Sequence, residues 1–278
     1  MHDETDENAL VEAIMASGVK IPPMPAVLVQ VLKLERDEDA GPREYAALIS
    51  RDPAMSGGVF RVVGSPVMGL RAKVDSLEKA ITVLGLRTTM AVVRSEGLRE
   101  ALHEPGAVVL LNMLWQRMNA VADLILAAIR VAKLRGVRED IAFQAGLFHD
   151  CGVAVLCRRF PAYAKAVHDT HGWPDLAALD EAHHGSHAMV GQMVARNWQL
   201  PGDVASAIRH HHATEIDLLP ESVRVLIVLI QFARHLLATQ IGADDSEWEP
   251  LWRERATKLF EAAGHDLEEV EAQLRALK

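Results

Sequence analysis

Two cysteines, Cys151 and Cys157, are all that 278 residues contain, and both lie in one apolar segment, "GLFHDCGVAVLC". So few, and so placed, they exclude a disulfide framework and a thiolate metal cluster, and read as buried reduced thiols. Aromatic residues make up only 5% of the chain and no stretch alternates β-branched with polar residues, which leaves a sheet-based fold little to build from. Long Lys/Arg-rich runs are missing and the formal charge is −9, so the basic face that nucleic acid or an anionic membrane requires is absent. The N-terminus "MHDETDENALVEAIMASGVK" is acidic where a secretion signal is basic, and it lacks an apolar core. The stretch "VRVLIVLIQFARHLLA" is interrupted by Gln231, Arg234 and His235 and reads as too short to span a bilayer. The expectation is a cytoplasmic protein with no nucleic-acid or membrane partner.

What is abundant is Ala and Leu at helical spacing, in a chain that is 50% hydrophobic and 24% charged. An all-α fold follows. In "SRDPAMSGGVFRVV", Asp52 is placed to cap a helix with Pro53 at its first position. Asp75 and Glu78 have capping-box spacing ahead of Leu77, Ala80, Ile81 and Leu84, and Asp266 and Glu269 repeat it ahead of Leu267, Val270, Leu274 and Leu277. Each such helix buries one face and needs a neighbour. The seam is expected at "LHEPGA", residues 102–107, where Pro105 and Gly106 interrupt the helical pattern. It divides the chain into an N-terminal helical subdomain (1–105, about five or six short helices) and a second helical bundle (106–278). With no low-complexity linker, the two bundles should pack closely.

The polar residues of greatest interest sit where apolar helices should not carry them. In "EDIAFQAGLFHD", His149 falls one turn beyond Ala145 on the inward face. Asp150 reads as lying in the last helical turn, at the negative end of the macrodipole, so something positive or hydrogen-bonding must offset it. Ser186 reads as the N-cap of a helix starting at His187. His210, His211 and His212 form a triplet near a helix C-terminus, with at least one open to being turned inward, while His183 and His184 read as surface residues. One aspartate with several histidines suits a divalent transition metal better than calcium or magnesium.

Taken together, "IPPMPAVLVQVLKL", "AALISRDPAMSGGVFRVVGSPVMGLRAKVDSLEKAITVLGLRT" and "AFQAGLFHDCGVAVLCRRFP" resemble the HDOD family, a helical signalling domain related to the HD phosphohydrolases. "HAMVGQMVARNWQLPGDVASAIRHHH" is similar to its closing segment, so the resemblance spans residues 20–240 in family order. It implies that the second bundle is a degenerate HD domain. Carried over residue by residue, His149 and Asp150 are the His-Asp doublet, and His187 and one of His211 and His212 match later histidines. The implied vestigial metal set is His149, Asp150, His187 and His211.

Three positions depart from the pattern. The first metal-binding histidine of active relatives, shortly after a tryptophan, is Arg117 in "LWQRMNA"; the late aspartate falls on Gln231; the lysine that often follows the doublet is Val153. A guanidinium has no lone pair to give a metal. Arg117 is therefore expected to pair with Asp150 and supply the charge that an ion would have supplied.

The leading expectation is a non-enzymatic HDOD signalling module acting through protein contact, with a signalling protein as partner, a homodimer also allowed, and no cofactor beyond a residual divalent transition metal. The alternatives are a metal-dependent HD-type phosphohydrolase or phosphodiesterase, and a catalytically dead nucleotide-sensing pocket built on Arg117 and the histidines. The candidate contact loop is Val67, Met68, Gly69 and Leu70 in "RVVGSPVMGLRAK", with plugging of the groove between the two bundles as the opposing reading. The stripe of the last helix is expected to close the bundle, with a dimer contact as the other option.

Overall fold

In the computed structural model the described residues are 11–70, 74–103, 107–170, 175–183, 185–243 and 245–276. After a helical stretch at residues 11–16 come five helices: α1 (Ala26–Leu34), α2 (Pro42–Ile49), α3 (Pro53–Val63), α4 (Leu77–Leu84) and α5 (Leu86–Ala101). The second set is α6 (Val108–Val131), α7 (Glu139–Phe148), α8 (Cys151–Arg159), α9 (Pro161–Asp169), α10 (Leu176–Ala182), α11 (His187–Asn197), α12 (Gly202–His210) and α13 (Glu221–Ile241). Two more, α14 (Arg253–Ala262) and α15 (Leu267–Ala276), complete an all-α fold with no strand among the described residues. Residues 104–106 of the expected seam, and Leu277 of the last stripe, lie outside the described residues.

Local chemistry explains the helix starts. Asp52 Oδ1 accepts from the Met55 N–H at 2.9 Å with Pro53 in the first turn, and Ser186 Oγ accepts from the Met189 N–H at 3.2 Å. One cap differs from expectation: Ser76, not Asp75, caps α4 through the Lys79 N–H at 3.2 Å, while Asp75 pairs with the Lys79 ammonium. Both residues are good cap formers, and only the backbone turn decides which of two neighbours is used.

The two bundles share one continuous hydrophobic core. Its hinge is α5, buried on every side from Thr89 to Leu98, which packs on α3 in the first bundle and α7 in the second. Trp198, fully buried, reaches across and donates from Nε1 to the Pro22 carbonyl at 3.0 Å. The helix α13 corrects an expectation about length. At 21 residues it is long enough to cross a bilayer, as is the stretch Glu139–Arg159, but both are mostly buried within the protein. The stripe Leu267, Val270 and Leu274 is also buried, with α15 lying on α6 and α14.

The tightest approach is between α8 and α11. A Cβ at Gly152 would lie 1.9 Å from the His187 carbonyl oxygen and 2.7 Å from the Gly191 nitrogen. Because backbone is struck, no side chain can swing aside, and the contact sets where His187 stands. Gly152→Ala should exceed the ~1–3 kcal/mol of ordinary overpacking and lower the melting temperature by ~5 °C or more. An unchanged melting curve would contradict this packing.

Candidate metal and charge centre

The junction between α7 and α8 brings the doublet to the centre of the second bundle. Here the structure corrects the sequence reading: α7 ends at Phe148, and Asp150 is the N-cap residue of α8, not part of a last turn. Its carboxylate makes no side-chain cap to α8, so its charge is met by other side chains. The break was hidden because the apolar run continues through it without proline.

Asp150 is 1% exposed, and Arg117 from α6 donates from Nη2 to its Oδ2. His149 brings Nε2 to 3.3 Å from the same oxygen. On the other oxygen, Oδ1, His211 Nε2 stands at 3.3 Å and His187 Nε2 at 3.8 Å. All three rings are buried. Burial alone would raise the Asp150 carboxyl, but His149 and Arg117 overcome it and hold it well below the usual carboxylate range.

The outer nitrogens of these rings are fixed. His149 Nδ1 donates to the Gly146 carbonyl at 2.8 Å, and His211 Nδ1 to the Ile208 carbonyl at 2.7 Å. His187 Nδ1 faces Asp180 Oδ2 at 2.7 Å; Asp180 also accepts from the His187 backbone N–H and from the Tyr163 hydroxyl. Burial pulls the His211 imidazole down to about 4, so near neutral pH its inner nitrogen presents a lone pair to a carboxylate. His187 Nε2 is buried with no hydrogen-bond partner. Lone pairs gathered on a carboxylate are the arrangement that a cation between them relieves, with outer-shell acceptors locking each ring.

Asp150, His187, His211 and His212 can each place one ligand atom within 4.8 Å of all the others. The 3.3 and 3.8 Å separations around Oδ1 are of the order produced by donors about 2.0–2.2 Å from one tetrahedral ion. His212 is the weakest of the four. Its Nε2 accepts from Arg234 Nη1 at 2.9 Å and its Nδ1 meets Glu247 Oε2 at 2.6 Å, so its lone pair is already engaged. Burial, His211 and Arg234 depress its pKa well below the ordinary value. The donor set thus fits one divalent transition metal on the Oδ1 side, through Asp150, His187 and His211. His149 stands apart, against the oxygen that Arg117 holds.

Gln231 is buried beside the centre, with its amide nitrogen donating to the His211 carbonyl and to Glu247 Oε2 at 3.2 Å. It braces the His211 backbone and offers no charge to an ion. Of the other histidines, His210 is half-buried, His183 packs against Phe160 and Tyr163, and His184 lies outside the described residues. Cys151 and Cys157 are buried free thiols, and burial pushes Cys157 up to about 12. The loop is divided: Val67 and Met68 are half-buried against the core, and the Val67 carbonyl accepts from Arg130 Nη1 at 2.6 Å. Gly69 adopts φ +61°, and Leu70 is 44% exposed.

Asp180, Tyr163 and Glu247 were not singled out by sequence reasoning, and Arg234 only as an interruption of an apolar stretch. Asp180 lies seven residues before His187 but on a different helix, so that spacing sets no shared face, and the others come from separate helices and a loop.

The comparisons agree with this architecture. A solved structure from Shewanella amazonensis, provisionally named a metal-dependent phosphohydrolase, superposes with TM-score 0.68 at 16% identity, covering 100% of this chain and 99% of that one. Another, from Marinobacter aquaeolei and provisionally named a signal transduction protein, gives 0.62 at 20% identity over 98% of this chain and 66% of that one. At such identities they establish the fold. An uncharacterised protein of Treponema pallidum is 25% identical over 242 residues, 83% of this chain and 44% of its own length, so the chain spans less than half of that relative. The HDOD domain family matches residues 21–214, and the chain belongs to that family.

Proposed function

We propose that this chain is a non-catalytic HDOD signalling module, acting in the cytoplasm through contact with another protein. The observation that carries the reading is the Arg117–Asp150 ion pair. A hydrolytic HD centre needs its aspartate to hold an ion with an open coordination position. Here one carboxylate oxygen is committed to a permanent cation, Gln231 stands where the resemblance would put a second carboxylate, and the surrounding side chains are buried. The charge problem is solved without chemistry.

A second reading has one observation in its favour: the Oδ1 side keeps a donor set able to hold an ion. An ion bound there by Asp150, His187 and His211 would supply Lewis acidity toward a phosphoryl group. Protein purified without chelators decides between them. On the leading reading, metal analysis finds at most one ion per chain and bis-p-nitrophenyl phosphate is not turned over above the blank. Turnover that disappears in Asp150→Ala would establish the phosphohydrolase.

The ion pair has its own test. Arg117→Ala strands a buried carboxylate and should cost about 3–5 kcal/mol, read from urea denaturation. A loss below about 1 kcal/mol would show that Asp150 does not depend on Arg117.

For the partner surface, the exposed Leu70 at the edge of the Pro66–Met68 turn is the contact we favour. Leu70→Glu should abolish co-purification of a partner with the chain while leaving the melting temperature unchanged. Retained co-purification removes this loop from the interface.

A further inference from the structure

Leu218, in the connection between α12 and α13, is 103% exposed, more than any other large apolar side chain of the described residues. It occupies the third position of a turn closed by the Leu219 N–H, which donates to the Ile216 carbonyl at 2.9 Å. Ile216 is buried and Leu219 packs against the core, so the turn is anchored on both sides of its tip. Arg224 of α13 donates from Nη1 to the Asp217 carbonyl at 2.9 Å, and Arg255 of α14 from Nη2 to the Thr214 carbonyl at 2.8 Å. A leucine held out on a backbone braced in this way gives up little conformational freedom when a surface covers it.

A cleft of about 530 Å³ opens between the α6–α7 connection and the first turns of α12 and α13. Val137, Ile141 and Val225 make part of its lining apolar. The α6–α7 connection brings Arg135 and Arg138 to this cleft, whereas α12 and α13 bring Asp203 and Glu221. Arg138 already holds Asp140, Nη2 to Oδ2 at 2.6 Å, but Arg135 and Glu221 are exposed and enter no ion pair among the described residues. Leu218 precedes Glu221 by three residues, which keeps their Cα atoms within ~11 Å of each other. Being fully exposed, it does not fill the cleft of its own chain.

An apolar knob, an apolar hole and two walls of opposite charge therefore stand side by side. That is what an isologous interface requires, because there each patch faces a copy of itself. We propose that the chain forms a two-fold homodimer through this patch: Leu218 of each copy enters the cleft of the other, and Arg135 faces the partner's Glu221. A foreign partner would have to match the knob, the hole and both signs of charge separately; a second copy matches them all by symmetry. The inference depends neither on the state of the Asp150 centre nor on the Leu70 loop.

Sedimentation equilibrium of the full chain tests it. The chain should pass from monomer to dimer with a Kd below about 1 mM, the weak end suiting a small interface. Leu218→Glu should raise the Kd about tenfold or more without changing the melting temperature, since this side chain is exposed in the single chain. Gly202→Phe is an independent block: a Cβ there meets no heavy atom within 4 Å, so the ring can occupy the cleft of a folded monomer and should raise the Kd as far. Arg135→Glu and Glu221→Arg should each separate the dimer by setting like charges opposite one another. An equimolar mixture of these two variants should dimerise again, because both contacts of the mixed dimer join opposite charges; a general loss of stability would not recover on mixing. Three outcomes overturn the proposal: a monomer up to about 1 mM, which leaves the cleft to a foreign peptide or a small molecule; an unchanged Kd in either folded Leu218 or Gly202 variant, which places self-association elsewhere; or charge variants that stay monomeric when mixed.

Discussion

The Arg117–Asp150 ion pair is the constraint around which the second bundle is arranged. A carboxylate 1% exposed is tolerable only when its charge is met at close range. Arg117 meets it from α6, and the rings of His149, His187 and His211 close around it. The pair therefore ties the longest helix of the second bundle to the α7–α8 junction, and α7 in turn packs on α5 from the first bundle. A single electrostatic contact thus sits on the path by which the two halves are joined.

The two oxygens of Asp150 have different surroundings, and that difference separates charge neutralisation from metal chemistry. Oδ2 faces Arg117 and His149, whereas Oδ1 faces His187 and His211. A guanidinium and a divalent ion do not compete for the same lone pairs here, but they do compete for one unit of negative charge. With Arg117 on Oδ2, an ion at Oδ1 would gain less from the carboxylate than it would without that neighbouring cation. An ion there would depend more on the imidazole nitrogens of His187 and His211 than on the carboxylate for its affinity.

Much of the fold could be read from the sequence because helix starts announce themselves: Asp52 with Pro53, Ser186 and Asp266 all cap where expected. What could not be read was a break carrying no punctuation. His149 and Asp150 interrupt a run whose apolar pattern continues from α7 into α8, and the polarity of the helix end reversed with that break. Of the site, Arg117, Asp150, His187 and His211 were visible as departures from helical patterning or through family resemblance. The supporting groups were invisible for a physical reason. Asp180 and Glu247 act by lying beside a histidine in space, and nothing in the spacing of a polar residue records which ring it will meet.

The helix α6 makes the same point about specification. One of its faces delivers Arg117 to Asp150, and the nearly opposite face lines a cleft with Trp115 and Asn119. A slip of one residue along α6 would rotate each of these by ~100°, withdraw the guanidinium from a buried carboxylate and drive it against the core residues Leu114 and Met118. Apolar neighbours such as Leu, Met and Val tolerate small changes of register because one hydrocarbon surface substitutes for another. A buried charge pair does not, since a carboxylate has only one acceptable neighbour. Arg117 thereby fixes the rotation of α6 as well as the charge of Asp150, and everything displayed on the other side of that helix inherits its position.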